Sequence, residues 1–496
     1  MPLVSVHDLS PGEIPIPIYC GLDSCQTFDI DRKTEKEFGG QESLIYAFER
    51  GMQGPALEMM LRGFKVDIWE RERLTRDAKV KYKACEHLLE SLVAAIMPDV
   101  RLARNKNGNL TFPNSDTQLR DFFYSHLGIT PLKVFQGGEE KFPMDRKVLE
   151  RLENHFYARP YVNAILLMRD LDGILGVLET EIDQDWRWRC SYNIGGTSTG
   201  RWSSSKSGVG TGSNFQNITE SLRKVFIADE GYEIIGIDLE QAEAREVGWF
   251  CGTILGDWSY LDMIESGDPH SYVARMCWPE LPWNGDLKKD RQIAERKFYR
   301  HLSYRQAAKV LSHGSNYMGK PPNMSAETKI PLNIVAPFQA RYFAAFPCIT
   351  RMHQWVATEL QTKGYLVNAF GRRRDFFDRA KSDETIKGAV AYLFQSATGD
   401  RLNLGLWRIW RYMGERIQIL AQLHDALYFQ RKLTDNRTEV VTQALDLMKV
   451  ELSFEGRKFH VPGEAVAGKN WAHRYRLRED GTLDDWNPNG LDRVKL

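Results

Sequence analysis

An α+β fold, mainly helical, is what this 496-residue sequence predicts, and three observations carry that reading. Long stretches of the first third repeat apolar residues at spacings of three and four, the mark of amphipathic helices. Two short apolar runs, 232–237 and 417–423, have the length of buried strands and lead to an aspartate, directly in the first case and after one histidine in the second. Between them lies a helix-rich block of about 260–412.

Taken in order, residues 1–40 are irregular, opening with the proline-rich PGEIPIPIY and closing at Phe38-Gly39-Gly40, a Gly pair that marks a boundary. Over 43–98, Leu88, Leu89, Leu92, Val93 and Ile96 recur at helical spacing, and the helix they predict stops before Pro98. A polar, Asn-rich run at 105–115 interrupts. From 146 to 182 the apolar period passes through Leu149, Leu152, Phe156, Leu166, Leu167, Leu171 and Leu175, with Pro160 dividing it into two helices. At Cys190 the chain becomes rich in Gly, Ser and Thr (GGTSTGRWSSSKSGVGTGSNFQNI), too polar for a core and too rich in Arg and Lys for an idle linker. The strand at 232–237 follows, then Asp238 and a helical pattern through Arg245 and Trp249. The second run, His424-Asp425 and Ala426-Leu427-Tyr428-Phe429 read as a hairpin with the His-Asp pair at its tip.

Composition removes several classes. Lys plus Arg is 66 and Asp plus Glu is 66, so any attraction to nucleic acid must be local. With 42% hydrophobic and 27% charged residues the chain is neither fibrous nor disordered. The start lacks a basic stretch followed by an apolar one, and no run of about 18 apolar residues occurs, which predicts a cytoplasmic protein with no membrane partner. Seven cysteines without a CxxC pair read as reduced packing residues rather than a disulfide frame or a zinc knuckle. No GxxxxGK[ST] loop is present to cradle phosphates for an ATPase or helicase.

The chemistry is carried by the two aspartates. An Asp at the end of an apolar strand is rigidly held yet open to solvent, where oxygen ligands grip a hard divalent cation. Alone, each is a turn or capping residue; together, Asp238 and Asp425 are the minimal cage for the two metal ions of phosphoryl transfer. The second ingredient is the segment YRQAAKVLSHGSNYMGK, in which Arg305, Lys309, Ser312 or His313, and Asn316 or Tyr317 follow at helical spacing. The cations suit a triphosphate and the rings suit a base and sugar. The window 286–309 holds eight basic residues against three acidic ones.

These residues resemble the motifs of family A DNA polymerases. D-L-E-Q-A-E-A-R (238–245) is similar to motif A, R-x-x-x-K-x-x-x-H-G-x-x-Y (305–317) to motif B and L-H-D-A (423–426) to motif C, in the family's order. T-G-R-W-S-S-S (199–205), N-F-Q-N-I (214–218), F-G-R-R-R (370–374), Gln395 with Ser396-Ala397-Thr398, and Asn470-Trp471 extend the likeness across about 45–475. The resemblance implies a right-hand polymerase: a helical thumb and palm base in 41–189, palm with motif A in 190–255, fingers with motif B and the return to the palm in 256–400, palm with motif C in 401–496, and 1–40 as a linker or remnant of an exonuclease-like domain. It implies that Asp238 and Asp425, with the Leu239 carbonyl, hold two Mg2+ ions; that Arg305, Lys309 and His270 bind the triphosphate, Lys309 also protonating pyrophosphate; that His313, Tyr317, Gln241 and Glu243 shape the nucleotide pocket, Glu243 blocking a 2'-OH; and that Arg201, Gln395, His424 and Arg372 contact primer-template DNA.

Departures accompany the likeness. His313 stands where the family has Phe or Tyr, Leu239 and Glu240 where it has Tyr and Ser, and Ala426 where an acidic residue follows the aspartate. Y-C-G-L-D (19–23) resembles the last exonuclease motif with only 18 residues before it, so no proofreading is expected of this chain: either the sequence begins inside a longer polymerase, or a separate exonuclease or other replisome protein is a partner, or the remnant is structural. The compact, divergent form resembles phage enzymes, and a phage-encoded protein would work in its bacterial host's cytoplasm. Two alternatives stand beside this reading, a non-catalytic primer-template-binding subunit and a single-subunit RNA polymerase.

Overall fold

Apolar side chains gather into three cores, two helical and one built on a sheet. The computed structural model describes residues 16–37, 44–99, 101–106, 108–136, 139–300, 302–477 and 483–496, so the boundary read at Phe38-Gly39-Gly40 lies outside the described residues.

The first helical core is made by α1 (Ile68–Ala94), α2 (Arg146–Leu152) and α3 (Arg159–Leu178). Asp67 caps α1 by accepting the Glu70 N–H at 3.0 Å. Ala78, Tyr82, Cys85, Leu89 and Val93 form its buried stripe against α3. Leu88 and Ile96 fall outside that stripe, Leu88 being 53% exposed, because the core face is centred on Leu89 rather than shared with its neighbour. Pro160 lies in the first turn of α3, where a missing N–H costs nothing, and the break it enforces leaves Phe156 in the connection, 77% exposed rather than in the core. A three-residue strand, Phe64–Val66, interrupts the stretch read as helical, since Gly63 (φ 59) ends the preceding helix.

The sheet has five antiparallel strands in the order β4-β5-β3-β6-β7, with β3 (Tyr232–Leu239) central, β4 (Ile417–Leu423) and β5 (Ala426–Lys432) forming the hairpin, and β6 (Gly463–Gly468) and β7 (Asp492–Arg493) on the other side. The Gly/Ser/Thr-rich segment supplies a further hairpin, β1 (Cys190–Asn193) with β2 (Ser203–Lys206). Gly236 is paired with both Tyr428 and Val466. A Cβ there would meet the Tyr428 ring at 2.7 Å, so only glycine lets those side chains cross the sheet.

The second helical core combines α4 (Ala242–Leu255), α5 (Pro269–Cys277), α6 (Tyr304–Asn316), α7 (Leu332–Ala345) and α8 (Pro347–Lys363). The cationic window 286–309 is not one helix: a helix at Leu287–Ala294 and a short hairpin precede α6, which starts at Ser303 with a reciprocal cap to Gln306. The 31-residue α9 (Asp383–Met413) joins two cores, giving Val390, Leu393 and Phe394 to this one and Leu402, Leu406 and Ile409 to the sheet. Arg401 of α9 and Glu246 of α4, both fully buried, bond at 2.8 Å and fix the two helices to each other.

Candidate active site

The carboxylate corner is built by strand register. Asp238 pairs with Ala426 of β5 and with Glu464 of β6, so the Asp238 and Glu464 side chains share one face. Leu423 pairs directly with Ala426, leaving His424 and Asp425 as the two-residue turn, with His424 in the left-handed region at φ 51. The Leu239 N–H donates to the Asp425 carbonyl at 3.1 Å, tying the hairpin tip to the end of β3 and bringing the two aspartates to one corner.

That corner is short of positive charge. Burial against protein on most sides, then Asp425 and Glu464, pushes the Asp238 carboxyl up to about 7 against the pull of Lys309, although its tip opens on the cleft. Burial also raises Asp425, Glu243 adding to it and Arg201 and His424 opposing it. Two crowded carboxylates that resist ionising are a donor set suited to a hard divalent cation, which would restore the missing charge. Asp238, Asp425 and the Leu239 carbonyl are the groups that could hold it.

Facing the corner across a cleft of about 450 Å³ is α6. Lys309, Ser312, His313 and Asn316 line it together with His270, Gln241 and Glu243. The His313 and Tyr317 rings lie 4.7 Å apart at 49°. Asn316, by contrast, is tied into a buried network, donating to the Tyr260 hydroxyl at 2.9 Å and accepting from Tyr342 at 2.8 Å. Gln241 takes φ 52 so that the chain can turn sharply from β3 into α4, which places Glu243 in the first helical turn. The Glu243 oxygens accept close hydrogen bonds from Arg201 and from the Tyr317 hydroxyl. Burial, with Glu243 beside it, pushes that hydroxyl far above its usual range, so it remains a donor. Burial, helped by Arg305 and Lys309, pulls His270 down to about 4, leaving a neutral imidazole. Among the described residues the Gln241 Oε1 and Ser312 Oγ atoms are buried without a partner.

The remaining sequence candidates are placed differently. His424 is exposed at the hairpin tip and Gln395 is half-buried on α9. Arg372, expected at the DNA, bonds both Asp400 oxygens at 2.7–3.0 Å and also Glu49, which ties it to the scaffold. Arg305 bonds Asp268 through two nitrogens at 2.7 and 3.1 Å. Asp268, the partner of Arg305, and Glu464, paired across the sheet with Asp238, are two charged residues the sequence did not single out. Asp268 lies two positions before His270 in the sequence, while nothing local to Glu464 indicates that β6 lies beside β3.

The sheet, the two helical bodies and the cleft between them define the right-hand polymerase architecture of thumb, palm and fingers. The structure of the POL domain of Pol1 from M. smegmatis, in complex with DNA primer-template and dNTP, superposes with a TM-score of 0.73 at 20% identity, over 91% of this chain and 75% of that one. Residues 100–473 match the family model for DNA polymerase family A, and the chain belongs to that family. Its relatives include the thermostable DNA polymerase I of Thermus thermophilus, 25% identical over 436 residues, covering 83% of this chain and 47% of that protein. DNA polymerase I of Treponema pallidum (strain Nichols) is 26% identical over 428 residues, covering 81% and 38%, and the DNA polymerase of Escherichia phage T5 is 25% identical over 345 residues, covering 62% and 38%. The chain thus spans about half the length, or less, of these relatives.

Proposed function

We propose that this chain is a template-directed DNA polymerase that adds deoxynucleotides to a primer 3' end. The observation that carries the reading is the convergence of Asp238 and Asp425 at one sheet corner, opposite Lys309 and His313. In the reaction the primer 3'-hydroxyl gives its proton to solvent and its oxygen bonds the nucleotide α-phosphorus as the bond from that phosphorus to the bridging β-phosphate oxygen breaks, releasing pyrophosphate. Asp238, Asp425 and the Leu239 carbonyl would hold two Mg2+ ions, which when bound favour the attacking oxygen and offset the leaving group's charge. Arg305 and Lys309 orient the triphosphate, and the Lys309 ammonium supplies a proton to the departing pyrophosphate. Neutral His270 donates a hydrogen bond to a phosphate oxygen. Glu243, held by Arg201 and Tyr317, has no freedom to swing aside, so a 2'-OH would collide with it. Arg201, Gln395 and His424 are the proposed contacts to primer-template DNA.

The boundaries 41–189 for thumb and palm base, 190–255 and 401–496 for palm, and 256–400 for fingers are the proposed domain division. No helix among the described residues is long and apolar enough to cross a membrane. The chain is also proposed to lack proofreading, since the exonuclease-like 19–23 segment lies in the helix Ile16–Glu37 and brings one carboxylate where two-metal hydrolysis needs several. A mismatched primer end is expected to survive incubation with the enzyme.

Primer extension with deoxy- and ribonucleotides tests the reading. Wild type should extend with deoxynucleotides, and Asp425→Ala should lose at least about 10³-fold in rate while still binding primer-template. Equal use of ribonucleotides would favour the RNA polymerase reading, no extension by wild type would favour the non-catalytic one, and an Asp425→Ala rate near wild type would contradict the role given to Asp425.

A further inference from the structure

Arg305 is not free to receive a ligand. Its Nε and Nη2 donate to the two Asp268 oxygens at 2.7 and 3.1 Å, and Glu295 stands 3.7 Å from the same group. Asp268 also caps α5, accepting from the Ser271 N–H at 3.4 Å and the Ser271 hydroxyl at 2.8 Å, while Arg291 approaches to 4.0 Å. Burial works to raise the Asp268 carboxyl, but Arg305 and Ser271 outweigh it and hold it below the usual carboxylate range. A two-pronged Arg–carboxylate pair uses the same donor fork that a phosphate takes. Arg305 lies one helical turn before Lys309, and Asp268 two residues before His270; Lys309 and His270 both line the cleft. A triphosphate that reaches Lys309 and His270 therefore competes with Asp268 for Arg305.

We propose that Asp268 is a resident counter-anion, holding Arg305 in place in the nucleotide-free protein and giving it up to a triphosphate oxygen on binding, so that Asp268 sets nucleotide affinity. The proposal rests on the polymerase reading above. No covalent bond changes in the exchange. The displaced carboxylate keeps Ser271 and gains Arg291, so it is not left buried and unpaired. Asp268 is a positioning residue, acting through Arg305.

Asp268→Asn preserves an oxygen for the Ser271 cap and removes the charge. KM for the incoming deoxynucleotide is expected to fall about fivefold, with the change on KM rather than kcat, and inorganic tripolyphosphate should inhibit the variant about fivefold more strongly. Asp268→Ser, which also caps, is expected to shift KM in the same direction, so the test does not hang on one variant folding. In an Arg305→Ala background the Asp268→Asn change should leave KM where it was. An unchanged or raised KM in both single variants, or an equal fall without Arg305, overturns the proposal. A wild type that incorporates no deoxynucleotide overturns the polymerase reading and this proposal with it, whereas a wild type that extends primers with KM unmoved by the variants overturns the role of Asp268 alone.

Discussion

The two walls of the cleft carry opposite charge and manage it in opposite ways. On the sheet wall Asp238, Asp425 and Glu464 crowd together and the carboxyls of both aspartates are driven upward. On the helix wall Arg305 is satisfied by Asp268, which is held below its usual range. Away from the cleft, buried Arg401 is held by Glu246 and by the Val450 carbonyl. The ion pair inside the scaffold joins two helices, the one on the helix wall is the pair proposed to exchange, and the sheet wall is in deficit where the proposed cations would bind.

The sharpest way to break this comparison is through stability. Arg401→Ala strands Glu246 in the core and is expected to cost about 3–5 kcal/mol, read as a fall in Tm or in denaturation midpoint. Asp238→Asn removes repulsion instead, so its Tm in the absence of metal should hold or rise. If Asp238→Asn destabilised the protein as much as Arg401→Ala, the sheet wall would be structural rather than strained.

Next in size is nucleotide selection. Glu243→Ala should reduce the preference for deoxy- over ribonucleotides by about tenfold to a hundredfold, measured as a ratio of kcat/KM values, because the blocking side chain and its two anchors are lost together. Selection unchanged by this substitution would shift the block to another residue.

A smaller effect concerns pH. His270 has a folded-state value of about 4 against an ordinary 6.5, so between those values the unfolded chain binds the extra proton. The stability tied to neutral His270 is complete above about pH 6.5 and is lost as pH falls toward 4. His270→Gln should flatten that part of the Tm-against-pH curve, and an identical slope in both proteins would assign it to other groups. The smallest expected change is at His313, whose ring faces the cleft beside Tyr317. His313→Tyr should alter the ratio of dideoxy- to deoxynucleotide incorporation, and equal ratios would show that this ring does not sense the sugar.

Both aspartates and the hairpin were legible in the sequence because strand length, apolar character and the position of a polar tip are local properties. The phase of the first helices was less so. Leu88 fits the three-to-four spacing as well as Leu89 does, and only the partner helix decides which side is covered, while Phe156 fits it too but falls in the connection between α2 and α3. Asp268 and Arg305 are 37 positions apart and meet through the packing of α5 on α6, while Glu464 faces Asp238 only because β6 returns beside β3. Arg372 carried the right chemistry for DNA, and the sequence held no sign that Asp400 and Glu49 would claim it.

The central claim is that Asp238 and Asp425 jointly complete a two-cation site. Counting Mn2+ bound as a stand-in for Mg2+, by titration in the presence of primer-template and deoxynucleotide, tests it directly in wild type, Asp238→Asn and Asp425→Asn. Two ions in the wild type and at most one in each variant is the predicted result; equal stoichiometry in all three proteins would contradict the account.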